Sequence, residues 1–282
     1  MGPAGDLLRR PFFMLILLAA LVASPELVVA FDDPQGDVAY TAPLDSEFSD
    51  GDFDLRRFAV YRDGEDVLFE VTLGAPIRRP QVTQRTNSSE LQLVNGIYLQ
   101  NIDIYIDTDR TPGSGYSVCI PGRRVAFADG RTWEKAVVLT PQPGPARVIA
   151  EEAMGKAATH VIFVEGIQSR GRTVIARVPS RLLGGPPRKE WGYSVHVSGA
   201  RWERSFGLSD RLGGHVEPNA FTMPVLQIPE AWAFGGAPDG DMHPRVVDVL
   251  LPAAANQKSV LSSFTATSFA QVPFVGDSGT QY

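Results

Sequence analysis

Apolar and polar residues alternate most regularly between Asn95 and Gly115, in the stretch NGIYLQNIDIYIDTDRTPGSG. Asn95-Gly96 and Pro112-Gly113-Ser114-Gly115 are turn signals at its two ends. The Ile- and Tyr-rich run between them favours a pleated, half-buried surface. Strand side chains alternate, so Tyr98, Ile102, Ile104 and Ile106 share one face, and Asn101, Asp103, Tyr105 and Asp107 share the other. The first face predicts core. The second carries two carboxylates and a ring, and is expected to be open to a ligand.

Short, turn-bounded runs recur along the rest of the chain. Phe53 to Tyr61 and Asp66 to Leu73 predict a hairpin, because Asp63-Gly64 separates them. Residues 74 to 94 read as a long polar loop. Arg123 to Ala128, Trp133 to Thr140, Ala146 to Glu152, Thr159 to Val164, Thr173 to Val178, Trp191 to Ser198 and Val246 to Leu251 are further expected strands. Pro141-Gln142-Pro143-Gly144-Pro145 is the sharpest break between them. Helix is expected only as one turn at Pro179 to Leu183 and a short element around Gln257 to Ser263. Strands at this spacing predict an all-β protein, an immunoglobulin- or jelly-roll-like antiparallel β-sandwich with long loops and one or two short helices.

Composition sharpens this picture. The 22 prolines and 27 glycines are spread along all 282 residues, which fits turns rather than long helices. A net charge of −6 excludes a basic nucleic-acid surface and suits divalent cations or neutral ligands such as sugars. Arg9 and Arg10 precede an apolar stretch of about a dozen residues, the form of a signal peptide. Val28-Val29-Ala30 offers small residues for cleavage, so residues 1–30 are expected to be removed, with an uncleaved anchor or a twin-arginine signal as alternatives. No later segment is apolar enough to span a membrane. The protein is therefore expected to be secreted or held at the cell surface. The one domain is expected at 31–275, followed by a tail at 276–282. Cys119, the only cysteine, can form no internal disulfide and reads as a buried small side chain.

Catalytic patterns are scarce. The four histidines lack zinc-site spacing, and no nucleophile elbow, phosphate loop or dinucleotide fingerprint occurs. Acidic clusters at strand ends are more informative, because calcium takes six to eight or so oxygen ligands from loops. Asp32, Asp33, Asp37, Asp54 and Asp107 are the expected metal ligands; turns and caps are the ordinary use of the same residues. Asp50-Gly51-Asp52-Phe53-Asp54 begins like an EF-hand, but Leu55 stands where glycine is required. Tryptophans stack on sugar faces when exposed and fill cores when not. Trp202 and Trp232, in polar or turn-rich surroundings, are the expected exposed pair, whereas Trp133 and Trp191 lie in strand runs.

Several stretches together resemble the C-terminal domain of glucodextranase, a module also found on pullulanases and in other exported proteins. They are FDDPQGD at 31–37, GDFDL at 51–55, QNIDIYIDTD at 100–109, PGR at 121–123, WEKAV at 133–137, ARVP at 176–179, WGY at 191–193, WAFGG at 232–236 and VVDVL at 246–250. The resemblance implies a non-catalytic β-sandwich of the DOMON or family 9 carbohydrate-binding type, a group that binds sugars or haem and is often braced by calcium. It predicts an exported module recognising glucan-like or cell-surface polysaccharide. Asn101, Asp103 and Tyr105 would supply polar contacts, and Trp202 and Trp232 the stacking faces. A separate glycoside hydrolase or an envelope protein is the expected protein partner. The rival expectations are a non-covalent haem-binding electron-transfer module using Met154, Met223, Met242 or histidines, and a purely structural surface protein.

Overall fold

The computed structural model describes residues 24–49, 51–78, 95–200 and 222–276. Two five-stranded sheets face each other. The first runs β1(Glu26–Asp32)–β2(Leu55–Asp63)–β3(Asp66–Leu73)–β9(Thr173–Pro179)–β8(Gln168–Arg170), antiparallel throughout. The second runs β11(Asp248–Val249)–β10(Gly192–Gly199)–β4(Gln100–Asp107)–β6(Lys135–Leu139)–β7(Val161–Phe163). Its last pair, β6 and β7, is parallel, in contrast to the antiparallel pairing expected throughout.

Alternation builds the main core. Ile102, Ile104 and Ile106 of β4 point between the sheets with Val137, Leu139, Val195 and Val197, and meet Phe58, Phe69 and Val71 of the first sheet. The β2–β3 hairpin turns through Gly64 at φ 61°, the left-handed conformation that glycine adopts without steric cost. Asn95 anchors the approach to β4. Its amide donates to the carbonyls of Thr140 and Val164 and accepts from the Ile167 N–H, all buried.

The outer face of the second sheet differs from expectation. It is roofed by a third layer comprising helix α1(Pro143–Met154), the parallel pair β5(Val125–Phe127) and β12(Ala270–Val272), and helix α2(Gln257–Leu261). A second core lies beneath, with Tyr105, Trp133, Phe127, Val138 and Leu251. Helix α1 occupies the whole of the stretch expected as the strand Ala146 to Glu152. Pro143 and Pro145 lie in its first turn, where a missing N–H costs nothing, and Gly155 at φ 57° ends it. Ala146, Ile149, Ala150 and Ala153, spaced as one helical face, line a small cavity against Val138 and Phe163 of the sheet. The proline cluster thus starts a helix rather than merely breaking strands.

Strand β1 corrects the expected boundary at Phe31. Glu26 is in register with Arg62, and the ladder continues to Asp32 opposite Arg57. Val29 and Phe31 pack on the main core, while Glu26–Arg62 and Asp32–Arg57 form ion pairs of 3.2 and 2.9 Å on the surface. The first sheet therefore takes in Glu26–Ala30, five residues ahead of Phe31. Residues 1–23, which hold the signal-like segment, lie outside the described residues. A chain begun at Phe31 should be less stable to urea than one begun at Ser24 by about 1 kcal/mol or more, since half-buried Val28 and Val29 are among the groups removed. Equal midpoints would show that Glu26–Ala30 adds nothing to the sheet.

Candidate ligand cleft and carboxylate cluster

The loop leaving β1 sets up the polar chemistry. Asp33 turns inward: its N–H donates to the Arg56 carbonyl at 3.0 Å, and its Oδ1 accepts the Leu251 N–H at 3.1 Å. Asp54, just before β2, accepts the Gly36 N–H on Oδ1 at 3.0 Å. Asp248 of β11 accepts the Leu55 N–H at 2.7 Å on one oxygen and the Gln257 amide on the other. Carboxylate oxygens of Asp33, Asp37 and Asp248 lie within 4.8 Å of one another. Burial pushes the Asp33 carboxyl up to about 7, helped by the charges of Asp37 and Asp54 and opposed by the Leu251 N–H. Burial likewise raises Asp37, and raises Asp248 well above the carboxylate range with the Asp33 charge adding to it.

Three of the five expected metal ligands, Asp33, Asp37 and Asp54, are thus neighbours, and two are not. Asp32 faces solvent with its side chain 78% exposed and pairs with Arg57. Asp107 sits elsewhere, with Asp109 and Glu134. It pairs with Gly192 while Asp248 pairs with Val197, five residues along β10, or about 17 Å at ~3.4 Å per residue. In this second cluster the carboxylates already have donors. Asp107 accepts the Arg110 N–H and lies 3.6 Å from Arg131, Asp109 accepts from Thr111 and Ser114, and Glu134 accepts from Thr108 and Ser114. Asp248 went unrecognised because it lies in the apolar run VVDVLL; a single charge interrupting such a run was the available signal.

Next to the first cluster opens a cleft of about 540 Å³, lined by Gln35, Tyr40, Phe53, Asp54, Arg56 and Arg172 among others. It occupies the end of the first sheet where the 33–54 loop, the end of β3 and the β8–β9 turn meet. Gly51 and Gly74 make its floor thin, since a Cβ on Gly51 would sit 3.0 Å from the Gly74 carbonyl carbon. Aromatic rings run outward from it. Phe234 meets Phe53 edge-on at 4.8 Å, Phe53 stacks with Phe48 at 6.0 Å, and Phe48 meets Trp232 edge-on at 5.1 Å. Trp232 is 36% exposed, with Leu44 and Ile228 exposed on the segments that flank it. Trp133 and Trp191 are buried, and Trp202 lies outside the described residues.

Asn101, Asp103 and Tyr105 do not line this cleft. Each is at most 1% exposed, because the third layer covers the face they share. Asp103 receives a bidentate pair from Arg123 at 2.6 and 3.0 Å, a strong geometry that consumes both carboxylate oxygens. The Tyr105 hydroxyl accepts the Ile120 N–H at 3.1 Å, and its ring packs edge-on to Trp133 and Phe127. Asn101 donates to the Gly199 carbonyl. An open sheet face was the wrong picture for these three. His196 completes the network, with Ser194 Oγ 2.8 Å from Nε2 and Cys119 Sγ 3.7 Å from Nδ1. Burial drives the His196 imidazole down to about 3, with Arg123 lowering it further against the opposing pull of Asp103. Cys119 is buried, as expected, and burial raises its thiol.

A ligand-sized cleft thus opens at one end of the sandwich, while the histidine–serine–cysteine contacts are sealed under the third layer. The chain belongs to the family described as the SLH-like C-terminal binding module of glucodextranase, whose model matches residues 28–274. Among curated proteins none is significantly similar to it. No helix among the described residues is long and apolar enough to cross a membrane.

The buried imidazole yields a pH prediction. Protons bind the unfolded histidine near 6.5 and the folded one only near 3, so unfolding takes up protons and stability falls as pH drops between those values. Asp103, Arg123, Cys119 and Tyr105 are the other titratable groups facing it. The stability gap between the natural chain and His196→Asn should narrow by about 2 kcal/mol between pH 7 and pH 5 in urea titrations. A gap that stays constant would show that the ring is not held neutral.

Proposed function

We propose that this chain is an exported, non-catalytic module that binds carbohydrate, of glucan-like or cell-surface type, in the cleft at the end of the first sheet, with calcium as a structural aid. The observation that carries the reading is exposed Trp232, set edge-on to Phe48, which in turn stacks on Phe53 of the cleft wall; Phe53 and Phe234 are themselves buried behind them. Flat rings give apolar contact to sugar faces at little entropic cost. Polar side chains converge on the same cleft: Gln35, Ser49, Thr41 and Arg172 can exchange hydrogen bonds with hydroxyls. Arg56 is already held, donating to Asp54 and Gln35 at 3.2 Å each. Membership of a binding-module family supports the same reading.

The haem alternative finds no support in this cleft, whose lining includes no Met, His or Lys to act as an axial ligand. Met223, one expected ligand, is fully buried in the main core. A purely structural envelope role is the remaining rival, and it predicts no glycan retention at all.

Affinity electrophoresis against α-glucans and bacterial wall polysaccharide separates these readings. The natural chain should be retarded by at least one of them. Trp232→Ala and Arg172→Ala should each weaken retention about tenfold, ~1.4 kcal/mol. Tyr105→Phe, altered only under the third layer, should bind normally. Retention that ignores Trp232 and Arg172, or no retention on any glycan, contradicts the assignment.

A further inference from the structure

We propose that the end of the sandwich opposite the cleft is a lipid-facing surface, where Leu27 and Leu182 meet an anionic bilayer and Arg181, Arg188 and Lys189 meet its headgroups. The chain enters the fold at this end. Strand β1 starts at Glu26, in register with Arg62 and beside the β2–β3 turn, and the apolar stretch Pro11 to Val22 stands only three residues ahead of it in sequence. Strand β9 ends at the same place, since Pro179 pairs with Asp66 and the Ser180 N–H donates to the Glu65 carbonyl at 2.9 Å. The loop that follows, RLLGGPPRKE at 181–190, is therefore held against the entry point. Arg62 ties the two together, donating to Glu26 at 3.2 Å and to the Pro187 carbonyl at 3.3 Å. The cleft lies beyond the far end of β3, at Gly74.

The side chains at the entry point suit a bilayer surface. Leu183 is buried and anchors the loop, while its neighbour Leu182 is 39% exposed and Leu27 is 48% exposed. Arg181, Arg188 and Lys189 are exposed, and none has a carboxylate partner among the described residues. The acids around them are mostly spent, Glu26 on Arg62 and both Asp63 and Asp66 on Arg177, which leaves Glu65 and Glu190. The cleft end has the opposite sign. Its rim segments 42–49 and 222–241 carry Asp45, Glu47, Glu230, Asp239 and Asp241 and contain no Lys or Arg. A chain of net charge −6 is thus drawn to an anionic surface by one end alone, and leucines at headgroup depth add apolar burial to that attraction. An anionic wall polymer would use the cations and leave the leucines in water; exposed leucines beside the junction with an apolar stretch favour lipid. In this pose the cleft points away from the membrane.

The orientation goes beyond the glycan reading and stands without it. The test labels the full chain with an environment-sensitive fluorophore at Leu182→Cys or, separately, at Leu44→Cys, Cys119 being buried and left unlabelled. Both positions are exposed, so neither change disturbs the core. Mixed with vesicles containing phosphatidylglycerol, the probe at 182 should shift to shorter wavelength and the probe at 44 should not. The shift should be lost in Arg188→Glu/Lys189→Glu and weakened by added salt. Lys258→Glu, on helix α2 whose Gln257 bonds Asp248 beside the cleft, should keep it. A probe at 182 that stays in water, an equal shift on vesicles of phosphatidylcholine alone, a shift that survives Arg188→Glu/Lys189→Glu, or a shift at 44 would each overturn the proposal. Glycan retention is read in a separate assay, so the loss of either property leaves the other standing.

Discussion

The loop after β1 and strand β11 are held by carboxylates that accept main-chain N–H groups across the fold. Asp33, at the end of β1, takes the Leu251 amide, and Asp248, in β11, takes the amide of Leu55. Each bond joins residues about two hundred positions apart and links the first sheet to the edge of the second. Apolar burial closes the sandwich but is non-directional; these directional bonds fix how the 33–54 loop crosses its end. Most of the cleft lining hangs from that loop; Arg56 of β2, Gly74, Arg172 and Phe234 complete it. Main-chain bridges from Ala39, Thr41 and Leu44 to the 230–247 segment complete the same seam and bring Trp232 against Phe48.

The same arrangement explains why two polar regions have different fates. Under the roof Asp103 and Arg123 satisfy each other, the Tyr105 hydroxyl meets the Ile120 N–H, and His196 meets Ser194 and Cys119, so together they specify how the third layer sits. The Asp33–Asp248 cluster lies at an open end and is not fully satisfied by protein groups. Polar side chains in this molecule therefore act as fasteners under the third layer and, at the end of the sandwich, as bridges between the loop after β1 and β11.

Much of the fold was legible in the residues because period-two alternation and turn chemistry are local. Ile102, Ile104 and Ile106 announced the main core, and Asp63-Gly64 announced the β2–β3 hairpin. The failures have physical causes. Nothing local distinguishes a sheet face open to solvent from one roofed by a later segment, so Asp103 and Tyr105 looked like ligand groups. Prolines before Ala146 start a helix as readily as they stop a strand. Glu26 to Ala30 reads as the tail of an apolar leader because an edge strand and a cleavage region use the same small and branched residues. Of the site, the acids at 33, 37 and 54 were visible as clusters. Asp248 and Gln257 were not, since their partners lie some two hundred residues upstream or across a loop. Exposure of Trp232 followed from its turn-rich surroundings.

The account rests on carboxylate fasteners at the open end, and amide hydrogen exchange reads them directly. With calcium present, the Leu55 and Leu251 amides should both be strongly protected. On adding chelator both should exchange faster together, while Ile104 in β4 stays protected. Unchanged exchange at Leu55 and Leu251, or faster exchange spread evenly through β4, would contradict it.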